Sequence, residues 1–230
     1  MTITPKNTLQ LAWFPVVTGL IPILGINVAL LVAILDGDVQ CIPYWEGCTS
    51  VSGVGRAEPS KWIFRGVMLP YTMILAAYWI LTYVWLKTLL TRTTFSSLLI
   101  SGLGILSALF LVLHLSHLGE AGELSHKMRR IGVNGNLFLG FFAQCGLTAQ
   151  LFKAKKPIIE RRSKLVICLV LLGFGLASIP VADLEENKRF WQNIIAWNFF
   201  LVSYVYFLFS ASSWRSTGFR VKFSNVADQE

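Results

Sequence analysis

Apolar residues fall into six blocks, at residues 11–35, 62–86, 95–115, 131–152, 165–182 and 190–212. Each is close to the roughly 20 residues that a helix needs to cross a hydrocarbon core about 30 Å thick. A membrane β-barrel would alternate apolar and polar positions over segments of about ten residues, whereas these blocks are apolar all round. A backbone in lipid has no water to bond, so helices are the remaining way to satisfy its N–H and C=O groups. The pattern predicts an all-α polytopic membrane protein, a six-transmembrane-helix bundle forming one domain over residues 1–230. The first block is too long for a signal-peptide core and lacks a small-residue cleavage site, so it is expected to stay as the first span. Most connections are short, which favours antiparallel packing of neighbours. The longest, residues 36–61, has room for structure of its own.

Only 14% of the residues are charged, against about a quarter in soluble domains, so lipid is the main solvent. The net charge of +8 would suit nucleic acid on a single aqueous surface, but the spans divide it. With a cytoplasmic N-terminus, that face holds 12 of the 20 basic and 3 of the 12 acidic residues, a net +9, against 8 basic and 9 acidic residues, a net −1, on the other. Lys and Arg beside the spans thereby select an N-in/C-in orientation, and no nucleic-acid partner is expected. The connection 153–164 contributes most, through Lys153, Lys155, Lys156, Arg161, Arg162 and Lys164. Its expected partner is anionic lipid, at about 1 kcal/mol per basic residue near the surface.

That orientation places loop 36–61 outside the cytoplasm, together with Cys41 and Cys48. Pro43 and Gly47 between them allow a tight turn, and the spacing predicts a disulfide in an oxidising compartment. Cys145 and Cys168 lie inside apolar blocks and read as small core hydrophobes. No CxxC pair is present, His114 and His117 have no histidine facing them from another span, and neither a metal nor another cofactor is expected. Asn27, Gln144, Gln150 and Asn198 read as hydrogen-bonding glue between helices. Gly102, Gly104, Gly173 and Gly175 read as points of close helix contact.

The densest polar cluster outside the cytoplasm is the connection after the third block, with Glu120, Glu123, Ser125, His126, Lys127, Arg129 and Arg130. A carboxylate beside an imidazole can orient a general base, which makes Glu123 and His126 the catalytic candidates. Paired arginines can hold a phosphate through two parallel hydrogen bonds. Arg65 falls one turn inside the second block, where an arginine must pair or reach back to the interface, and Glu58 is its expected partner. Arg65, Glu58, Arg129 and Arg130 are thus the candidates for a lipid-headgroup site, set against the reading of this cluster as a merely solvated loop.

The first outer loop also carries an ordered set: Cys41, Pro43, Tyr44, then Ser50, Val51, Ser52, Gly55 and Pro59, and finally Trp62, Ile63, Phe64 and Arg65 leading into the second span. This resembles the Frag/DRAM/Sfk family of six-span membrane proteins, especially its branch that remodels GPI lipids after GPI attachment. Glu123, His126 and Phe138 resemble an acid, histidine and phenylalanine of that branch. Trp197 and Asn198 stand where the branch has an acidic residue, and Cys48 is an addition. The resemblance implies a role in membrane lipid biology, in a bacterial inner membrane or a eukaryotic Golgi, ER or plasma membrane. The leading expectation is a protein that recognises or remodels a phosphate-bearing lipid at the outer leaflet. The alternative is a non-enzymatic scaffold whose basic cytoplasmic face recruits a protein partner or anionic lipid. A transporter is weaker, since no span carries a buried Asp or Glu and no repeat is visible.

Overall fold

The computed structural model describes residues 8–90, 95–154 and 160–222. In chain order it contains β1 (Thr8–Gln10), a 3-10 turn (Leu11–Trp13), α1 (Phe14–Leu35), short α2 (Pro43–Glu46) and α3 (Val51–Val54), α4 (Ser60–Leu89), α5 (Phe95–Ser116), α6 (Glu123–Lys153), α7 (Arg161–Ala182), α8 (Lys188–Ser216) and β2 (Arg220–Lys222). Five of the long helices, α1 with its leading turn, α4, α5, α7 and α8, are long and apolar enough to cross a membrane. Helix α6 falls short of that apolar standard because its sequence is diluted by amides and glycines. The six long helices pack in a closed ring in the order α1, α4, α5, α6, α7, α8 and back to α1.

The ring is filled by aromatic side chains of α4 and α8, which face each other across it. Tyr78 stacks on Trp214 with centroids 5.6 Å apart and an interplanar angle of 7°, while Tyr71 meets Tyr204 and Trp85 meets Trp214. Tyr78 OH lies 2.8 Å from Ser210 Oγ, which gives that buried hydroxyl a partner. The amides of the spans work in the same way. Asn136 donates to Ser107 O (3.0 Å), Gln144 to Ser203 O (3.0 Å) and Gln150 to Ser96 Oγ (2.7 Å), tying α6 to α5 and α8.

Close approach of α6 to α5 depends on glycine. A Cβ on Gly132 would lie 2.5 Å from His114 N and 2.8 Å from Phe110 O, which are backbone atoms that cannot swing aside. Of the glycines expected at contacts, Gly104 does lie against the Trp79 ring, but Gly102, Gly173 and Gly175 have nothing within 4 Å of an added Cβ. On those faces of α5 and α7 no neighbour stands close enough to fill the space. Helix α6 also starts earlier than its apolar block. The charged stretch expected as a loop forms its first two turns, supported by Glu123 in the first turn and the Lys127–Glu123 pair at 2.5 Å, an i,i+4 arrangement.

Loop 36–59 folds back over the first half of α8. Asn193 donates to Gly47 O (2.7 Å), the Trp197 indole to Thr49 O (2.9 Å) and Asn198 to Tyr44 O (2.9 Å), while Tyr44 OH donates to Asn27 Oδ1 (3.1 Å). Gly47 takes a left-handed φ of +55° beneath Phe190, a position that suits glycine. Cys41 and Cys48 are at disulfide distance, with Cα atoms 6.4 Å apart. At the opposite end, β1 pairs antiparallel with β2, so the two ends of the described chain meet. This small sheet departs from the expected all-helical fold. Lys155, Lys156 and the tail beyond Lys222 lie outside the described residues.

Two outcomes follow. Gly132→Ala should cost about 1–3 kcal/mol of stability through overpacking, while Gly140→Ala, whose added Cβ would meet nothing nearer than 3.7 Å, should be neutral or slightly stabilising; thermal melting in detergent reads both. Reduction of the denatured protein should expose two further maleimide-reactive thiols per chain, those of Cys41 and Cys48.

Candidate functional site

The end of the ring beneath loop 36–59 opens sideways. Helix α7 is the least enclosed of the candidate spans: 17% of its most apolar stretch is buried, against 33–44% for the others. Its buried residues, Lys164, Ile167, Cys168 and Leu171, all lie in its first half. Beside the second half, a cleft of about 770 Å³ separates α7 from α6 and α8. Phe138, Phe141, Phe142, Phe174 and Phe199 line it, with Asn134, Ser178 and Gln192 as its polar positions. This is an apolar space with a few polar groups, the usual form of a small-molecule or lipid site.

On α6, the residues that line the cleft recur at Asn134, Phe138, Phe141 and Phe142, which is one face of a helix. Phe138 and Phe142 meet at 4.6 Å between ring centroids, and Phe141 and Phe142 at 5.4 Å. Arg130 continues this face one turn beyond Asn134, in the charged first turns of the helix. It is exposed, and no acid stands within ion-pair distance of it among the described residues. The face therefore runs from a cation to an aromatic wall.

The other candidates are placed differently. The acid beside Arg65 is Glu120 at 3.3 Å, and Arg65 also donates to Leu118 O. Glu58 instead pairs with Lys61 at 3.8 Å. The reason is geometric: the α5–α6 connection folds directly over the start of α4, while Glu58 reaches only the next turn of its own segment. Arg65 thereby fastens that connection and does not line the cleft. Glu123 is taken up by Lys127, and His126 is exposed in the first turn of α6. The Arg129 carbonyl lies 3.0 Å from His114 Nδ1 of α5. Burial lowers the pKa of its guanidinium from the ordinary value, and the Arg56 charge pushes the same way. The structure thus gathers Arg56 and Arg129, while Arg130 stands one helical turn before Asn134 of the cleft.

Two features were not read from the sequence. Phe138, Phe141 and Phe142 with Asn134 have helical spacing, but an aromatic stripe in an apolar block looks like core until its neighbour is seen to stand away. A second groove, of about 430 Å³, lies between α6 and the first half of α7 and shares Phe141 and Leu172 with the first.

Because Arg65 holds a carbonyl and a carboxylate together, Arg65→Gln should lower stability by about 1.5–3 kcal/mol, as for a lost charged hydrogen bond. Glu58→Gln, at an exposed pair, should stay within about 0.5 kcal/mol of the parent. Comparable losses in the two variants would show that Glu58 is the working partner after all.

No curated protein and no solved structure matches this chain. The family model described as the Frag1/DRAM/Sfk1/Cwh43P N-terminal domain matches residues 10–216. That stretch takes in all six long helices, the docked loop and both grooves, and the chain, an integral membrane protein, belongs to that family.

Proposed function

We propose that this protein binds a phosphate-bearing membrane lipid from the outer leaflet, its acyl chains in the cleft of α6, α7 and α8 and its phosphate at Arg130. The observation that carries this reading is the continuity of one α6 face, from the acid-free Arg130 through Asn134 to the Phe138, Phe141 and Phe142 wall. An exposed arginine can offer a phosphate two parallel hydrogen bonds. An aromatic groove open toward lipid removes a chain from the bilayer with little loss of apolar contact, so selectivity falls to the polar rim of Asn134, Gln192 and Arg130. Arg129 and Arg56, close enough to repel one another, add positive potential for the same headgroup.

The reading includes six crossings with both ends in the cytoplasm. The β1–β2 pair brings the two ends of the described chain to one end of the ring, which supports an even number of crossings. Helix α6, at 31 residues, is then the sixth, its amides tolerable because they bond to α5 and α8. The charge asymmetry between the faces supports the same orientation. In this frame the cleft faces the outer leaflet, and the protein handles lipids by presenting or remodelling them, in keeping with the branch its loop motif resembles.

Mass spectrometry of protein purified in mild detergent tests the binding directly. A phosphate-bearing lipid should co-purify, and Arg130→Ala should weaken its retention by about 1.5–3 kcal/mol, the worth of a charged hydrogen bond, with the melting temperature unchanged. Phe138→Ala should widen the range of chains retained. Equal retention in the parent and Arg130→Ala would remove the headgroup assignment. A reporter active only outside the cytoplasm, fused to the C-terminus, should be silent, and strong activity would invert the orientation.

A further inference from the structure

The groove between α6 and the first half of α7 is walled by Phe141, Ala149, Phe152, Leu165, Leu169 and Leu172, and the polar side chains that line it are Cys145, Thr148 and Cys168. Both cysteines are free thiols, and they stand next to one another across the helix pair. Thr148 Oγ1 lies 3.5 Å from Cys168 Sγ and 3.0 Å from Tyr206 OH, which donates to Gln144 O. One turn before Cys168, on the same face of α7, Lys164 is fully buried. Its Nζ donates to Ser210 Oγ at 2.6 Å and lies 4.4 Å from the centroid of the Tyr206 ring.

No carboxylate stands within ion-pair distance of this ammonium among the described residues. Glu160, one turn earlier, accepts from Ser212 and Ser213 instead. An uncompensated charge in a low-dielectric interior is costly, and a nearby group able to become an anion relieves it. The Cys168 thiol is such a group. A thiolate beside a cation is a nucleophile, and here it opens onto a groove with the apolar walls of an acyl-chain site. A cysteine serving only as core filling would need neither the groove nor the buried amine.

We propose that Cys168 accepts a fatty acyl group from a lipid ester or an acyl thioester, giving an S-acyl protein whose chain lies in the α6–α7 groove. Cys168 Sγ adds to the acyl carbonyl carbon and a C–S bond forms. The bond from that carbon to the donor's oxygen or sulfur breaks, and its electron pair leaves with the donor atom. The proton given up by the thiol passes to that leaving group, with Lys164 as the relay. No atom is oxidised or reduced. Through the shared Phe141 and Leu172, a lipid chain in the outer cleft adjoins this groove. The inference rests on the lipid-handling reading but not on the Arg130 headgroup site.

The full chain, reconstituted in phosphatidylcholine vesicles, is offered an alkyne-tagged acyl chain in two arms, as phosphatidylcholine in one and as acyl-CoA in the other. Label attached to the protein, released by neutral hydroxylamine and mapped to Cys168 by peptide mass spectrometry of the unmutated chain, is the expected result. The arm that labels names the donor. Cys168→Ala should lose at least tenfold of the label, and Lys164→Met, checked for folding by its melting curve, should slow labelling at least tenfold. No label in either arm, label resistant to hydroxylamine, or label at Cys145 overturns the proposal, and an undiminished rate in Lys164→Met overturns the relay. Labelling lost while Arg130-dependent lipid retention persists fails this inference alone; the reverse result fails the headgroup reading alone.

Discussion

A polar atom inside hydrocarbon must find its partner within the protein, and the placement of those partners decides how firmly each helix of this ring is held. Helix α6 is fixed by Asn136, Gln144 and Gln150, each donating to another helix. Helix α8 is fixed by Asn193, Trp197 and Asn198 to the loop above it. Helix α7 has such ties in its first half, through Lys164 and Cys168, and at its last residue, where Lys188 of α8 donates to Ala182 O. Between them, Ser178 bonds to Gly175 O of its own helix. The cleft lies beside the stretch of α7 between these ties.

Much of this was legible in the sequence, for reasons that differ by feature. The long helices follow from blocks of apolar residues too long to be anything else, and the cysteine pairing follows from two residues in one turn-rich loop. The amides at Asn27, Gln144, Gln150 and Asn198 were readable as glue because a span offers them no other use. The family showed itself through a short ordered motif at Cys41 to Arg65. The partner of Arg65 was not legible, since a connection 55 residues away supplies Glu120, and sequence proximity favoured Glu58. Gly173 and Gly175 misled for a related reason: small residues permit close packing, but only if a neighbour stands on that face. Lys164 counted as a solvated cytoplasmic charge, because nothing local shows that Ser210 and Tyr206 receive it.

The docked loop explains why the family-like motif and the departures from it occur together. Trp197 and Asn198 depart from the acidic pattern of the branch, yet both are engaged by loop carbonyls, at Thr49 and Tyr44. A carboxylate cannot donate to a carbonyl, so an acid at either position would leave that loop oxygen unpaired. Cys48 fits the same picture, since closing the turn with Cys41 holds the short helix that carries Tyr44. The N-terminal half of α8 is thus built to seat the loop, which leaves the α6–α7 side as the flank of the ring with open grooves.

Along that flank the two cations, Arg130 and Lys164, stand at opposite ends, and they differ in what can neutralise them. Arg130 is exposed, so water serves it and its charge costs little. Lys164 is sealed beneath α8, so compensation must come from the protein or from something that enters the groove. A charge that water can reach selects a ligand by attraction alone. One that water cannot reach is relieved by giving up its own proton or by a nearby group that becomes an anion, and the Cys168 thiol, which lines the α6–α7 groove, is able to do so. The first arrangement suits recognition and the second suits chemistry, and both open onto the same pair of helices because α7 is the helix that the rest of the bundle holds least.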